Sequence, residues 1–426
     1  MPHPLQLLLL LVIIIAAAKL AGAAANRIGQ PAVFGEILAG LFLGPTLLNL
    51  LAWPMFAPPP GVGAAPSLGA IVRDLADVGV ILLMFVAGME TDLAQMRRVG
   101  HVAFWSAAGG VVLPLVGGIA VAAAFGLRLW WESVFVGTIL TATSVSISAQ
   151  TLMEIGALRT EEGSTILGAA VIDDVMGIVL LSAVIAFSRQ VGTASLVPVV
   201  WVLLRIAIFF GLALLAGRYL PALLRAADRL NVSQGVLGVV LAVLFLYAWA
   251  SEYVGEMAAI TGSYVAGVLL ARTGHKERID RGIHPLTYSM FVPVFFVSIG
   301  LEANARDLGN DIAFTAAILV VAVAGKILGC GVLAWLCGFT GRQSLRVGVG
   351  MISRGEVGLI VASYGLSHGI ITHNGFSAAV VMVLVTTMIT PPLLRLLFPA
   401  RPHRRAPAVE ETVAGPPEET EDRSLG

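Results

Sequence analysis

Charge is scarce in this chain. Of its 426 residues only 12% are Asp, Glu, Lys or Arg, against about 25% in an ordinary soluble domain. Neither sign is in excess, since 26 basic residues offset 26 acidic ones. A nucleic-acid binder needs a basic face and a disordered chain needs high polarity, so both classes are excluded. Cysteine is limited to Cys330 and Cys337. They lie seven residues apart on one apolar run, about 10.5 Å along a helix axis, which is too far for a disulfide. The seven histidines have no metal-ligand spacing, so no zinc site is expected. No GxxxxGK[ST] motif occurs, which argues against ATP-driven transport by this chain.

What remains is apolar. Hydrophobic residues make up 58% of the chain, mean hydropathy is +0.91, and Gly (47) and Pro (21) are abundant. A helix needs about 20 apolar residues to cross about 30 Å of hydrocarbon. Charges, Pro and Gly divide the chain into segments of that size at 5–25, 32–52, 75–93, 101–125, 132–153, 163–188, 196–219, 232–251, 257–272, 286–302, 312–337, 345–367 and 374–397. The expected fold is therefore an all-α polytopic membrane protein of about 13 transmembrane helices. Residues 399–426, Pro-rich and acidic, read as a disordered cytoplasmic tail. The first run lacks a basic flank at Met1–Leu5, whereas Lys19 and Arg27 come late in it or after it. That order favours an uncleaved span with its N-terminus outside. Threading thirteen helices from outside puts 17 Lys and Arg in inner loops and the proximal tail, and 4 in outer loops. This positive-inside bias supports an inside C-terminus.

A repeat lies in the spacing. Gly88-Met89-Glu90 aligns with Gly300-Leu301-Glu302, an offset of 300 − 88 = 212. The same shift carries three further spans onto spans, and seven steps separate the copies, which makes them inverted. Inverted repeats characterise many secondary transporters, whose binding sites lie where paired helices break near the midplane. Two mid-span segments are polar and related by the shift: 141–150, TATSVSISAQ, and 351–360, MISRGEVGLI. Both read as discontinuous helices. Thr143 and Ser144 are candidate ligands, whereas Ser146 and Ser148 suit helix packing.

The most informative residues are Asp173 and Asp174, about 15 Å into the span 163–188. A lone carboxylate at that depth costs at least about 2.5–3.5 kcal/mol, so such residues mark ion or proton pathways. Lys326, midway along 312–337 and flanked by Gly325, is the expected partner: a buried amine beside a carboxylate is a tunable proton carrier. Glu154, Arg354 and Glu356 lie beside the helix breaks and are expected to hold them in place, pairing with one another. Glu36, Asp77 and Glu90 fall near span ends, where headgroups and caps satisfy them, and Arg205 is expected to snorkel or face a helix interface.

These motifs are similar to those of a known family. IGQPAVFGEILAGLFLGPTLL (28–48), LADVGVILLMFVAGMETDLAQMRRVG (75–100), AAVIDDVMGIVLLS (169–182) and VGVGMISRGEVGLIVASYGL (347–366) resemble the bacterial monovalent cation:proton antiporter-2 family, in particular its NapA-type sodium/proton antiporters. The resemblance implies a membrane domain over 1–398 whose core, about 75–188 and 286–397, moves like an elevator. The opposing dimerisation scaffold would comprise about 5–52 and 196–272. It implies that Asp174 is the main Na+ ligand and that Asp173 pairs with Lys326 when no cation is bound. Exchange would be electrogenic, by a homodimer in the bacterial inner membrane, with no cofactor beyond the transported Na+ and H+. No nucleotide-sensing segment follows the spans, which points away from the glutathione-gated potassium-efflux branch. The residues leave Na+, Li+ and K+ open. They also leave two readings of another class: an intramembrane aspartyl protease, which needs two facing carboxylates, and an ion channel.

Overall fold

The computed structural model describes residues 3–56, 67–127, 130–188, 197–229, 232–302, 312–367 and 369–398. The tail expected at 399–426 lies outside them. All regular structure among the described residues is helical. Eight helices are each long and apolar enough to cross a membrane by length and composition, and all thirteen expected spans fall on a helix or a helix pair. This is a multi-pass membrane protein.

The first three helices are α1 (His3–Arg27), α2 (Ala32–Leu43) and α3 (Leu68–Glu90). Helix α1 is an integral part of the bundle, with Leu10, Ile14 and Ala18 fully buried at every fourth residue. There follow α4 (Leu93–Ala124), the interrupted pair α5 (Trp130–Ile139) and α6 (Val145–Glu154), and α7 (Glu161–Ser188). The middle of the chain forms α8 (Val197–Gly217), a short α9 (Leu220–Ala227), α10 (Gly235–Tyr253) and α11 (Ala259–Leu270). The second copy of the repeat begins with α12 (Lys276–Leu286), which passes through a π turn at Thr287–Phe291 into α13 (Val292–Glu302). It continues with α14 (Ile312–Leu336), the interrupted pair α15 (Gly341–Gly350) and α16 (Glu356–Ser367), and α17 (His373–Leu397).

The repeat is thus realised element by element, and both expected interruptions are present, at 140–144 and 351–355. Packing divides the helices into two groups. Helices α4–α7 and α14–α17 pack mainly on one another, while α1–α3 and α10–α13 form the other set. The resemblance groups α3 and the α12–α13 helix with the expected core; in the structure α3 packs against α11 and α13 against α2. The axis of the first group is the α4–α14 pair. A Cβ on Gly109 would lie 2.2 Å from the Gly329 carbonyl oxygen, and one on Gly329 equally close to that of Gly109. Only glycine at both positions allows this approach, which brings Lys326 of α14 into the centre of the group.

Candidate functional site

The two interruptions cross and hydrogen-bond to each other. The backbone N–H of Ser144 donates to the Ser353 carbonyl at 2.8 Å, and the Ser353 hydroxyl donates to the Ser144 carbonyl at 2.8 Å. Ser148 donates to the Gly350 carbonyl, so it has the packing role expected of it. Arg354 is fully buried. Its guanidinium donates to Leu140 O at 2.7 Å, Ile352 O at 3.0 Å, Ala322 O at 3.2 Å and Met351 O at 3.3 Å. It therefore meets the carbonyl-bearing, negative ends of both α5 and α15, where the unwound chain leaves acceptors without helical partners.

The expected pairing of Arg354 with Glu154 does not occur. Glu154 sits at the far end of α6, where its carboxylate accepts from Ala32 N at 2.6 Å, Val33 N at 3.3 Å and Gln150 Nε2 at 2.8 Å. It caps the N-terminus of α2, ten residues beyond the crossing it was expected to brace. The reason is geometric: α6 rises about 1.5 Å per residue, carrying Glu154 away from the break. The Glu356 side chain lies outside the described residues.

Asp173 and Lys326 do meet. Nζ lies 3.1 Å from both carboxylate oxygens, and both side chains are almost wholly excluded from solvent. In so dry a place neither charge is tolerable without the other. Asp174, about 100° further round α7, points instead to the scaffold group, where Thr261 Oγ1 of α11 donates to its Oδ2 at 3.2 Å. Asp173 and Asp174 both line a cavity of about 520 Å³ with Thr141, Thr143, Asp77 and Glu252. Thr143 is 4% exposed, and its Oγ1 has no hydrogen-bond partner among the described residues. Ser144 is not among the lining residues, and its hydroxyl contacts that of Ser146 at 3.1 Å. Of the two candidate hydroxyls, Thr143 is the one facing the carboxylates' cavity.

Two features escaped the sequence reading, and Arg205 takes the helix-interface role expected of it. Thr261 belongs to a polar Thr-Gly-Ser stretch within a short span, the same signal that marked 141–150. Asp77, expected near a span end, lines the cavity. Arg205 donates to the Val254 carbonyl at 2.7 Å and pairs with Glu256, closing the turn beyond α10 at the cavity mouth.

The ion pair makes a prediction. Lys326→Ala should strand the Asp173 charge in a dry site and destabilise the protein by about 3–5 kcal/mol. Adding Asp173→Asn removes that charge, so the double variant should be more stable than Lys326→Ala alone. Thermal unfolding of the purified variants measures this as a coupling term. A double variant as unstable as the sum of the singles contradicts the pairing.

The chain is 38% identical over 383 residues to the Na+/H+-K+ antiporter GerN of Bacillus cereus, covering 90% of this chain and 94% of that one. It is 33% identical over 422 residues to the high-affinity Na+/H+ antiporter NhaS3 of Synechocystis, covering 91% and 89%. Among solved structures, the sodium proton antiporter MjNhaP1 of Methanocaldococcus jannaschii superposes with a TM-score of 0.66 at 15% identity, covering 92% of this chain and 97% of that one. The profile of the transmembrane sodium/hydrogen exchanger family matches residues 11–398. On that match and on these relatives, the chain belongs to the sodium/hydrogen exchanger family.

Proposed function

We propose that this protein exchanges Na+ for protons across the membrane, electrogenically, with Asp174 as the cation ligand and the Asp173–Lys326 pair as the proton-linked switch. The observation that carries this reading is the division of labour between two consecutive acids. Asp173 is committed to Lys326, while Asp174 lies beside it in the same cavity with the unpartnered Thr143 hydroxyl. Carboxylate, hydroxyl and water oxygens make a site for a hard monovalent cation. A cation arriving at Asp174 takes the place of a proton on that carboxylate and weakens the hold of Asp173 on Lys326, whose amine then releases a second proton, so two protons leave for each cation bound and one net charge moves per cycle. Departure of the cation restores the pair. Na+ is favoured because antiport of Na+ is the activity named for the relatives; GerN's name adds K+.

Alternating access follows from the two packing groups, with α4–α7 and α14–α17 sliding against the scaffold helices, through which the protein dimerises. With the N-terminus outside, as the positive-inside bias requires, the cavity opens outward. A net charge moved through the field is worth about 2.3 kcal/mol per 100 mV, so the membrane potential assists export. An intramembrane protease needs two acids facing each other, and here the first is bound to a lysine; the chain is a transporter, not an enzyme.

Reconstitution in proteoliposomes tests this. An imposed Na+ gradient should move protons against it, read by a pH-sensitive dye, and generate a potential read by a voltage-sensitive dye. Choline in place of Na+ should give neither signal. Proton movement that fails to respond to Na+, Li+ or K+ sinks the reading, and proton movement without a potential sinks its electrogenic part.

A further inference from the structure

A second polar cavity, of about 380 Å³, opens toward the opposite helix ends. Helix α3 shows the separation: Asp77 lines the first cavity and Glu90 the second, thirteen residues or about 20 Å apart along the helix. The two cavities share no lining residue. The second is lined by Glu36, Glu90, Gln150, Glu154 and Lys19, among others, and by little apolar surface.

Most of its polar groups are engaged. Glu154 caps α2 and accepts from Gln150. Lys19 Nζ donates to the Tyr288 carbonyl at 2.7 Å, in the π turn. Two buried groups are less fully engaged. Glu36, on α2, is 5% exposed; the Lys19 charge acts on it, but no hydrogen bond to its carboxylate is present among the described residues. Gln150 is also 5% exposed, and its Oε1 is buried without a hydrogen-bond partner. A nine-tenths buried carboxylate and a buried amide oxygen at one polar cavity form an acceptor set short of donors. No group of three His, Cys, Asp or Glu side chains among the described residues is placed to hold a metal ion directly. A cation here therefore keeps part of its water shell, and the transported alkali ions are the cations that the antiporter reading supplies.

We propose that this cavity is a second cation-binding site, with Glu36 and Gln150 as its ligands, holding a partly hydrated Na+ or K+ on the side of the barrier opposite Asp174. The site joins the two packing groups, since Glu36 belongs to α2 of the scaffold and Gln150 to α6 of the core. Its occupancy is thereby coupled to the relative position of the groups. This rests on the antiporter reading for its biological role and its choice of cation, but not for its acceptor groups.

Equilibrium binding of ²²Na+ and ⁸⁶Rb+ to the purified full chain tests it, with Asp174→Asn used to silence the first site. That variant should keep saturable binding of one of the two ions. Adding Glu36→Gln should weaken the residual binding about tenfold or more. Gln150→Leu, which removes the amide oxygen without touching a charge, should weaken it as well and decides the matter if Glu36→Gln does not fold. Asp174→Asn protein that binds neither ion overturns the proposal, and so does residual binding that survives both second substitutions. Exchange by wild-type proteoliposomes, measured alongside, separates failure of this site from failure of the antiporter reading.

Discussion

Asp174→Ala should reduce Na+-driven proton movement in proteoliposomes to the level of protein-free vesicles, while the protein still folds and elutes as wild type does. The two halves of that expectation have different causes. Function goes because alanine leaves no anionic oxygen at the cavity, and the Thr143 hydroxyl alone cannot replace the hydration shell of a cation. Stability survives because Asp174 is not the partner of Lys326. It accepts from the neutral hydroxyl of Thr261, and removing a buried acid lightens the desolvation burden on the span. Asp173→Ala should behave oppositely in stability, since it strands the Lys326 ammonium at full burial. Retained Na+-dependent dequenching in Asp174→Ala would end the assignment. Thr261→Val is the milder companion: it removes the hydroxyl that holds Asp174 toward the scaffold, and should shift the half-saturating Na+ concentration more than the maximal rate.

Arg354→Ala should be the most destabilising single substitution in the core group. The guanidinium serves four carbonyl oxygens from three segments of chain, three of them at the unwound ends of α5 and α15. Each buried acceptor left unsatisfied costs about 1–3 kcal/mol. The sum reaches several kcal/mol, against a total stability of about 5–15 kcal/mol for a folded domain. A cavity the size of an arginine side chain adds to it. Arg354→Lys should rescue little, because one ammonium cannot span acceptors that a planar fork reaches in several directions. Fluorescence-detected gel filtration of detergent extracts measures the folded fraction, and thermal unfolding the remainder. Wild-type melting of Arg354→Ala would mean that water can take over the guanidinium's bonds, and that the crossing is wetter than its burial indicates.

The opposite fates of Arg354 and Glu154 show where sequence reasoning reached its limit. Both were recognisable as charges out of place, beside polar breaks in apolar spans. Their expected partnership failed because an unwound backbone is itself a strong acceptor, and sequence does not display backbone carbonyls as a motif. Asp173 and Lys326 succeeded for the converse reason. Two opposite charges in the bilayer interior have few alternatives to each other, so a partnership of Lys326 with one of the acids follows from composition and depth, and the family resemblance singles out Asp173. Glu36 and Asp77 were misjudged because distance from a span end is a poor guide to exposure. Each lies on a helix face that lines a cavity, and which face does so depends on the neighbouring helices.

By itself, the sequence determined that this is a polytopic helical membrane protein with an inverted repeat, two interrupted helices, and a pair of intramembrane acids with a lysine within the spans. All of these follow from one constraint: hydrocarbon penalises every uncompensated charge and every open backbone group, so the exceptions are few and legible. Only the tertiary structure decided which hydroxyl faces the cavity, that Thr261 reaches across from α11, and that a second cavity exists. Those outcomes depend on the rotation and approach of helices distant in sequence, set by contacts such as Gly109 on Gly329. Side-chain spacing along a single helix does not encode them.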